Sequence, residues 1–325
     1  MISIDKQTLQ KARRALEKAT VHHLFDPNVT HIDLGLRIKD SQGSRVQNEL
    51  AVRVHLRKKL KGDAYEAFAD KYPERVIDAQ TLGFPVDIPE ADYRLHYTWP
   101  NYPSIREARM RYFDVLRGGI SIANEWSYGF GTLGGKVVDR QTGEELILSN
   151  WHVLAGSWFA KPGLTVQQPA RVDGGTPKDT IAVLARDAMN HGLDAAVAKL
   201  NNNRQIVNEQ FEIGAVQGVK VPHIGMVVVK SGRRSKVTTG VVTGVLGQTV
   251  QRYHGFRRII KHIVHIAQID GRGEISAAGD SGAWWLEKQT SFATALHFAG
   301  SNSPEFGLAI SMPPVLDTLN VNIGL

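Results

Sequence analysis

Gly279-Asp280-Ser281-Gly282-Ala283-Trp284-Trp285-Leu286 is the stretch on which the fold of this chain turns. A serine stands between two glycines, an aspartate precedes it, and an apolar, strand-like run follows. A serine hydroxyl is a weak nucleophile at neutral pH. It needs a neighbouring base and a place for developing negative charge. A glycine two positions earlier can adopt a backbone conformation that aims its own N–H and the serine's N–H at one point. The backbones of Gly279 and Ser281 are therefore the candidate oxyanion donors. Read alone, the motif fits a glycine-rich surface turn equally well. Two further stretches change that balance. Ser149-Asn150-Trp151-His152-Val153-Leu154 offers a histidine after the expected strand 145–149. Leu193-Asp194-Ala195-Ala196-Val197-Ala198 offers an aspartate at the mouth of an apolar strand, where an unpaired carboxylate is costly and an imidazole N–H offsets that cost. His152, Asp194 and Ser281 then supply base, orienting acid and nucleophile in chain order. Asp187 is the rival acid within the same segment.

The whole chain has 325 residues, 42% hydrophobic, with a formal net charge of +7 and no cysteine. That length allows about two domains. No run approaches the roughly 18 apolar residues of a membrane helix, so no membrane association is expected. The N-terminus lacks the basic start and apolar core of a secretory signal. The absence of cysteine removes disulfides and thiolate metal sites, and it fits a cytoplasmic setting. His22-His23 and the later histidines lack ligand spacing, so neither a metal nor a cofactor is expected.

Along the chain, residues 5–19 carry Leu9, Ala12, Leu16 and Ala19 at helical spacing. The runs 32–38 and 50–56 alternate as strands, joined by the polar loop 39–44 as a hairpin. Residues 63–72 read as a short helix and 84–89 as an extended, proline-bounded piece. Residues 1–90 are thus an expected small α+β accessory domain. Residues 91–117, with Tyr97, Trp99, Pro100, Tyr102 and Pro103, read as a linker that packs on something. From residue 118 to 325 short strands alternate with glycine-rich turns, at 119–123, 129–138, 145–149, 180–185, 195–200, 224–230, 236–246, 262–268, 283–287, 292–298 and 306–310. Many short strands with little helix point to an all-β barrel or sandwich.

The three motifs together resemble the chymotrypsin-like serine peptidases over roughly residues 118–325. The resemblance implies a mainly β, double-barrel peptidase domain behind the accessory domain, and a serine endopeptidase acting on protein or peptide substrates through an acyl-enzyme. The stretches Val229-Lys230-Ser231-Gly232-Arg233-Arg234 and Thr238-Thr239-Gly240-Val241-Val242 look like the strand pair that opens the second barrel in the bacterial and plant branch. With Asn48-Glu49-Leu50-Ala51-Val52-Arg53-Val54 and Phe84-Pro85-Val86-Asp87-Ile88 in front, the whole chain is similar to the NARROW LEAF 1-like trypsin-like peptidases. Ala283 departs from the small polar residue usual after the second glycine, and Trp284 and Trp285 are bulky for the following strand.

The resemblance also implies a substrate pocket lined by Ile275 and by His297, Phe298, Ala299 and Gly300. Ile275 brings no negative charge, which argues against cleavage after lysine or arginine. An apolar preference is the leading reading of this pocket, and an acidic preference, for which His297 could supply a protonated or donor imidazole, is the alternative. Control by the N-terminal domain, by a protein partner or within a homo-oligomer is expected of an intracellular peptidase. A further route is cleavage near Arg117-Gly118-Gly119-Ile120, freeing a terminus to bridge Asp280. The basic runs 230–236 and 252–258, with Tyr253 and Phe256 for stacking, offer nucleic-acid binding as a minor reading and solvated loops as the major one. The rival function from another class is a catalytically silent peptidase-fold binding protein.

Overall fold

The computed structural model of the chain describes residues 5–38, 46–96, 108–127, 129–269, 273–302 and 305–325. The expected hairpin loop 39–44 and the aromatic residues 97–103 of the linker lie outside the described residues.

The first helix, Lys6–His23, starts at Asp5, whose carboxylate accepts the Thr8 N–H at 2.9 Å. Its buried stripe, Ala12, Ala15, Leu16 and Ala19, packs on Ile32, Leu34, Val52 and Val54 of the hairpin Val29–Ile38 and Val46–Leu56. Because strand side chains alternate, the hairpin turns His31, Asp33, Arg53 and His55 to the opposite face. That face is not solvated: all four residues are fully buried. Leu34 pairs with Val245 of the long strand Lys236–Tyr253 and carries the hairpin into a larger sheet, and the rings of Tyr93 and His265 pack against His31 and His55 on this polar face.

Among the described residues that sheet has eleven strands. Six of them close on themselves. In order they are Val227–Gly232, Trp284–Glu287, Phe292–Asn302, Glu305–Ser311, Phe256–Ala267 and Lys236–Tyr253, and the last pairs back to the first. Among the described residues a second sheet of eight strands holds Glu145–Ser149, Ala196–Leu200 and Thr180–Asp187 side by side and forms an open path in its pairing. The fold is mainly β, with an N-terminal helix leading into it. Between the two sheets lies one large core that includes Trp151, Leu154, Val197, Trp284, Leu296 and Phe298. Trp284 fits because Gly134 and Gly135 lie against its indole ring: a Cβ at Gly134 would come within 2.3 Å of Nε1.

Most expected strands are present with shifted ends. The run 236–246 falls short, since Lys236–Tyr253 continues past bulges around Leu246 and pairs with Phe256–Ala267 down to a tip at residues 253–256. The strands Thr165–Gln167, Gln205–Gln210 and Val321–Ile323 and the helix Met312–Thr318 are additions. No helix among the described residues is long and apolar enough to cross a membrane.

Candidate active site

His152 lies on the one-turn helix Trp151–Leu154, directly after the strand Glu145–Ser149. Asp194 immediately precedes the neighbouring strand Ala196–Leu200, which pairs with it through Ala196 and Ser149. This adjacency brings the two side chains together. The imidazole Nδ1–H donates to Asp194 Oδ2 at 2.5 Å, and the His152 backbone N–H donates to Oδ1 at 3.1 Å. The Asn150 amide clamps the Asp194 carbonyl at 2.7 Å. Asp194 is fully buried and His152 is 4% exposed. Asp187, the rival, caps Met189 N–H at 3.0 Å on its own turn.

A third donor reaches the same carboxylate. The hydroxyl of Tyr253, at the tip of the long hairpin, donates to Asp194 Oδ2 at 2.9 Å. Burial first, and then the Asp194 charge, push the Tyr253 phenol well above its ordinary value, so it stays a neutral donor. Trp151 meets its ring edge-on at 5.8 Å. The stacking role for Tyr253 on nucleic acid is therefore overturned: the residue is 2% exposed and committed to the aspartate. Sequence reasoning could not find this contact, because a tyrosine in a basic run gives no sign of which sheet its hairpin tip crosses.

Ser281 approaches from the closed sheet. Its carbonyl accepts the Thr132 N–H at 2.7 Å, and a Cβ built on neighbouring Gly131 would touch both Val153 and the Ser281 carbonyl. One short strand, Gly131–Thr132, thus fits between the histidine turn and the serine loop. Ser281 is fully buried, and its hydroxyl donates to the Phe298 carbonyl at 3.1 Å. Gly279 has φ 109°, and a Cβ there would fall 2.4 Å from the Phe130 ring, so only glycine fits. Its N–H donates to the His96 carbonyl at 2.6 Å.

Asp280 holds the loop from below. It accepts from Lys230 Nζ at 2.9 Å, from the Ser235 hydroxyl, and from the backbone N–H groups of Arg234, Ser235 and Ala277. Burial alone would raise its pKa. The Lys230 charge and these donors outweigh burial and hold the carboxyl well below its usual range. An internal lysine therefore sits where the sequence reading put a freed N-terminus, and Asp280 is already paired in the uncut chain. The run 230–236 is not the solvated loop expected from its charge. Lys230 is fully buried and Arg233 is 4% exposed, its guanidinium paired with Asp173 and stacked 3.6 Å from the Phe130 centroid.

The candidate pocket residues lie together around one strand. Ile275, Phe298 and Ala299 are buried, and a Cβ at Gly307 would touch both Ile275 and His297. His297 accepts the Trp285 indole N–H on Nδ1 at 3.3 Å, which leaves its ring hydrogen on Nε2. That Nε2–H donates to Nδ1 of His96 at 3.1 Å. Burial first, and then neighbouring His96, hold His297 well below its ordinary value, so it is a neutral donor.

His31, Asp33 and His55 converge closely enough to be read as a metal-ligand set. Arg53, however, takes both Asp33 oxygens, one of them at 2.7 Å, so a cation would meet a guanidinium at the carboxylate it needs. The cluster is better described as a buried ion pair inside a hydrogen-bond network. Tyr93 extends that network, its hydroxyl lying 2.8 Å from His55 Nδ1 and 2.9 Å from His265 Nε2. The sequence gives no ligand spacing here because the partners face each other across two strands, His31 opposite His55 and Asp33 opposite Arg53.

No family model and no curated protein matches the chain. Solved structures do resemble it. The Nocardiopsis protease NAPase shares 16% identity, covering 64% of this chain and 98% of its own, with a TM-score of 0.49. Thermobifida fusca protease A matches at the same identity and coverage with a TM-score of 0.47. So does Cellulomonas bogoriensis chymotrypsin, with a TM-score of 0.47.

Proposed function

We propose that this chain is a serine endopeptidase in which Ser281 attacks a peptide carbonyl and His152 takes its proton. Asp194 fixes the imidazole tautomer and stabilises its cationic form. The N–H groups of Gly279 and Ser281 hold the oxyanion. His152 then protonates the leaving amine, and water repeats the sequence to release the acid. The observation that carries this reading is the Asp194 carboxylate, which receives His152 Nδ1, the His152 backbone and Tyr253 at once. A buried carboxylate that accepts the imidazole N–H while two further donors fix its own position is organised for orientation.

The neutral Nε2–H of His297 supports a pocket that favours a side chain with a hydrogen-bond acceptor, so the acidic preference is carried ahead of the apolar one. Division of the chain at residues 90 and 117, the double-barrel description, a cytoplasmic setting and affiliation with the NARROW LEAF 1-like peptidases belong to the same proposal. They rest on the sequence motifs.

The test is cleavage profiling of proteome-derived peptides, with fluorophosphonate labelling, comparing the chain with Ser281→Ala. Cleavage and labelling lost in the mutant are expected, with aspartate or glutamate enriched before the cut. An inert Ser281, even in a chain whose cleft has been opened as described below, would leave the peptidase-fold binding protein as the better reading.

A further inference from the structure

Residues 93–96 run into the candidate active site as an extended strand. Arg94–Leu95 lies antiparallel to Phe292–Asn302, with Leu95 opposite Ala299 and Arg94 opposite Gly300. The next residue, His96, donates its N–H to the Phe298 carbonyl at 3.2 Å, and its own carbonyl accepts the Gly279 N–H at 2.6 Å. Its imidazole enters the pocket and accepts from His297. The fit is close: a Cβ on Gly300 would fall 2.4 Å from His96 Cε1. Exposure falls along this segment toward the pocket. Arg94 is 82% exposed, Leu95 is half-buried, and His96 is 5% exposed.

A peptide read by strand addition needs the same features: main-chain pairing to an edge, a side chain in the pocket, and the carbonyl before the cut on the oxyanion donors. We infer that residues 94–96 are an internal pseudosubstrate, a built-in occupant that keeps substrate out of the cleft. The inference rests on the peptidase reading above. Two observations favour a standing inhibitor over a bond in the course of cleavage. The Ser281 hydroxyl hydrogen is directed at the Phe298 carbonyl, the acceptor already used by His96 N–H. And the segment is pinned upstream, since the buried Tyr93 hydroxyl bridges His55 of the front hairpin and His265 of the closed sheet. The front unit thereby holds the occupant in place, and a partner that shifts the hairpin would loosen it. The occupant also names a peptide the cleft accepts: Tyr-Arg-Leu-His.

The experiment uses the full chain, His96→Pro, which removes the N–H given to Phe298, and the double variant Arg94→Gly/Leu95→Gly. Folding is checked by circular dichroism. Fluorophosphonate labelling of Ser281 should be at least tenfold faster in either variant than in the parent. Equal rates overturn the inference, as does release of activity by a cut after His96, which would make the segment a substrate. A second readout is independent of chemistry. In the Ser281→Ala background, fluorescently tagged acetyl-Tyr-Arg-Leu-His-amide should bind at least tenfold more tightly once His96→Pro is added. Tighter binding with an inert Ser281 in every chain sinks the peptidase reading and leaves the occupied cleft standing. Equal binding, or none, overturns the occupant. If neither variant folds, hydrogen exchange on the parent decides. Protection of the His96 amide supports the inference, and exchange at the open-chain rate overturns it.

Discussion

Lys230→Met tests whether an internal ion pair sets the serine loop. Lys230 and Asp280 are both fully buried at 2.9 Å, so solvent screening does not discount the pair. Breaking a buried pair by removing one partner costs about 3–5 kcal/mol, because the remaining charge is left uncompensated. Here Asp280 keeps the Ser235 hydroxyl and three backbone donors, which places the expected loss at the lower end, about 3 kcal/mol. Lys230 also donates to the Ser235 hydroxyl at 2.6 Å, and that bond goes too. Urea unfolding at pH 7 should show a fall in midpoint with the slope unchanged. Because the folded Asp280 carboxyl lies below its ordinary value, its stabilisation is complete above the unfolded carboxylate range and is lost as pH falls through the folded value. The gap between parent and mutant should therefore narrow in acid. Lys230→Met/Asp280→Asn should recover part of the loss, since no buried charge remains unpaired. A single-mutant loss under about 1 kcal/mol, the range of a surface pair, would refute the reasoning. So would a double mutant whose loss is the simple sum.

Tyr253→Phe should lower stability by about 1.5–3 kcal/mol, the usual worth of a hydrogen bond to a charged group. It should also slow fluorophosphonate labelling in the opened chain; labelling unchanged within twofold would show that the third donor does not position His152. Asp194→Asn in the same opened chain should cut turnover by about 10⁴, as the handling of the imidazole tautomer requires, and a loss under tenfold would count against its role. Burial, with Lys230 and His152 adding to it and Asp280 opposing, holds His96 at about 4. Its ordinary value is about 6.5. Seating of the segment is then strongest above the ordinary value and weakens as pH falls, by up to about tenfold per unit, because the open form takes up a proton that the seated form excludes. An NMR titration of His96 with a midpoint near 6.5 would contradict this.

How much was legible in the sequence depended on how local each cause was. The helix Lys6–His23 was readable because its apolar stripe follows the helical period and Asp5 caps its start. The strands around Ser149, Ala196 and Trp284 were readable because turns bound their apolar runs. The candidate residues His152, Asp194 and Ser281 were readable because each sits in a short motif whose backbone role is set by its immediate neighbours. Lys230 and Arg233 were misread as surface charge. Sequence gives their charge, while Asp280 and Asp173, which pay for burying it, lie far along the chain.

The residues alone determined which elements form and which side chains stand as candidates for the site, because propensity, patterning and turn residues act over a few positions. Tertiary structure alone decided who meets whom. It laid the 253–256 tip on Asp194 and turned the polar face of the front hairpin inward. It also threaded His96 into the pocket beside His297. The Tyr253–Asp194 and His96–His297 contacts join residues 59 and 201 positions apart in the chain, and no local pattern encodes a partner at such a distance.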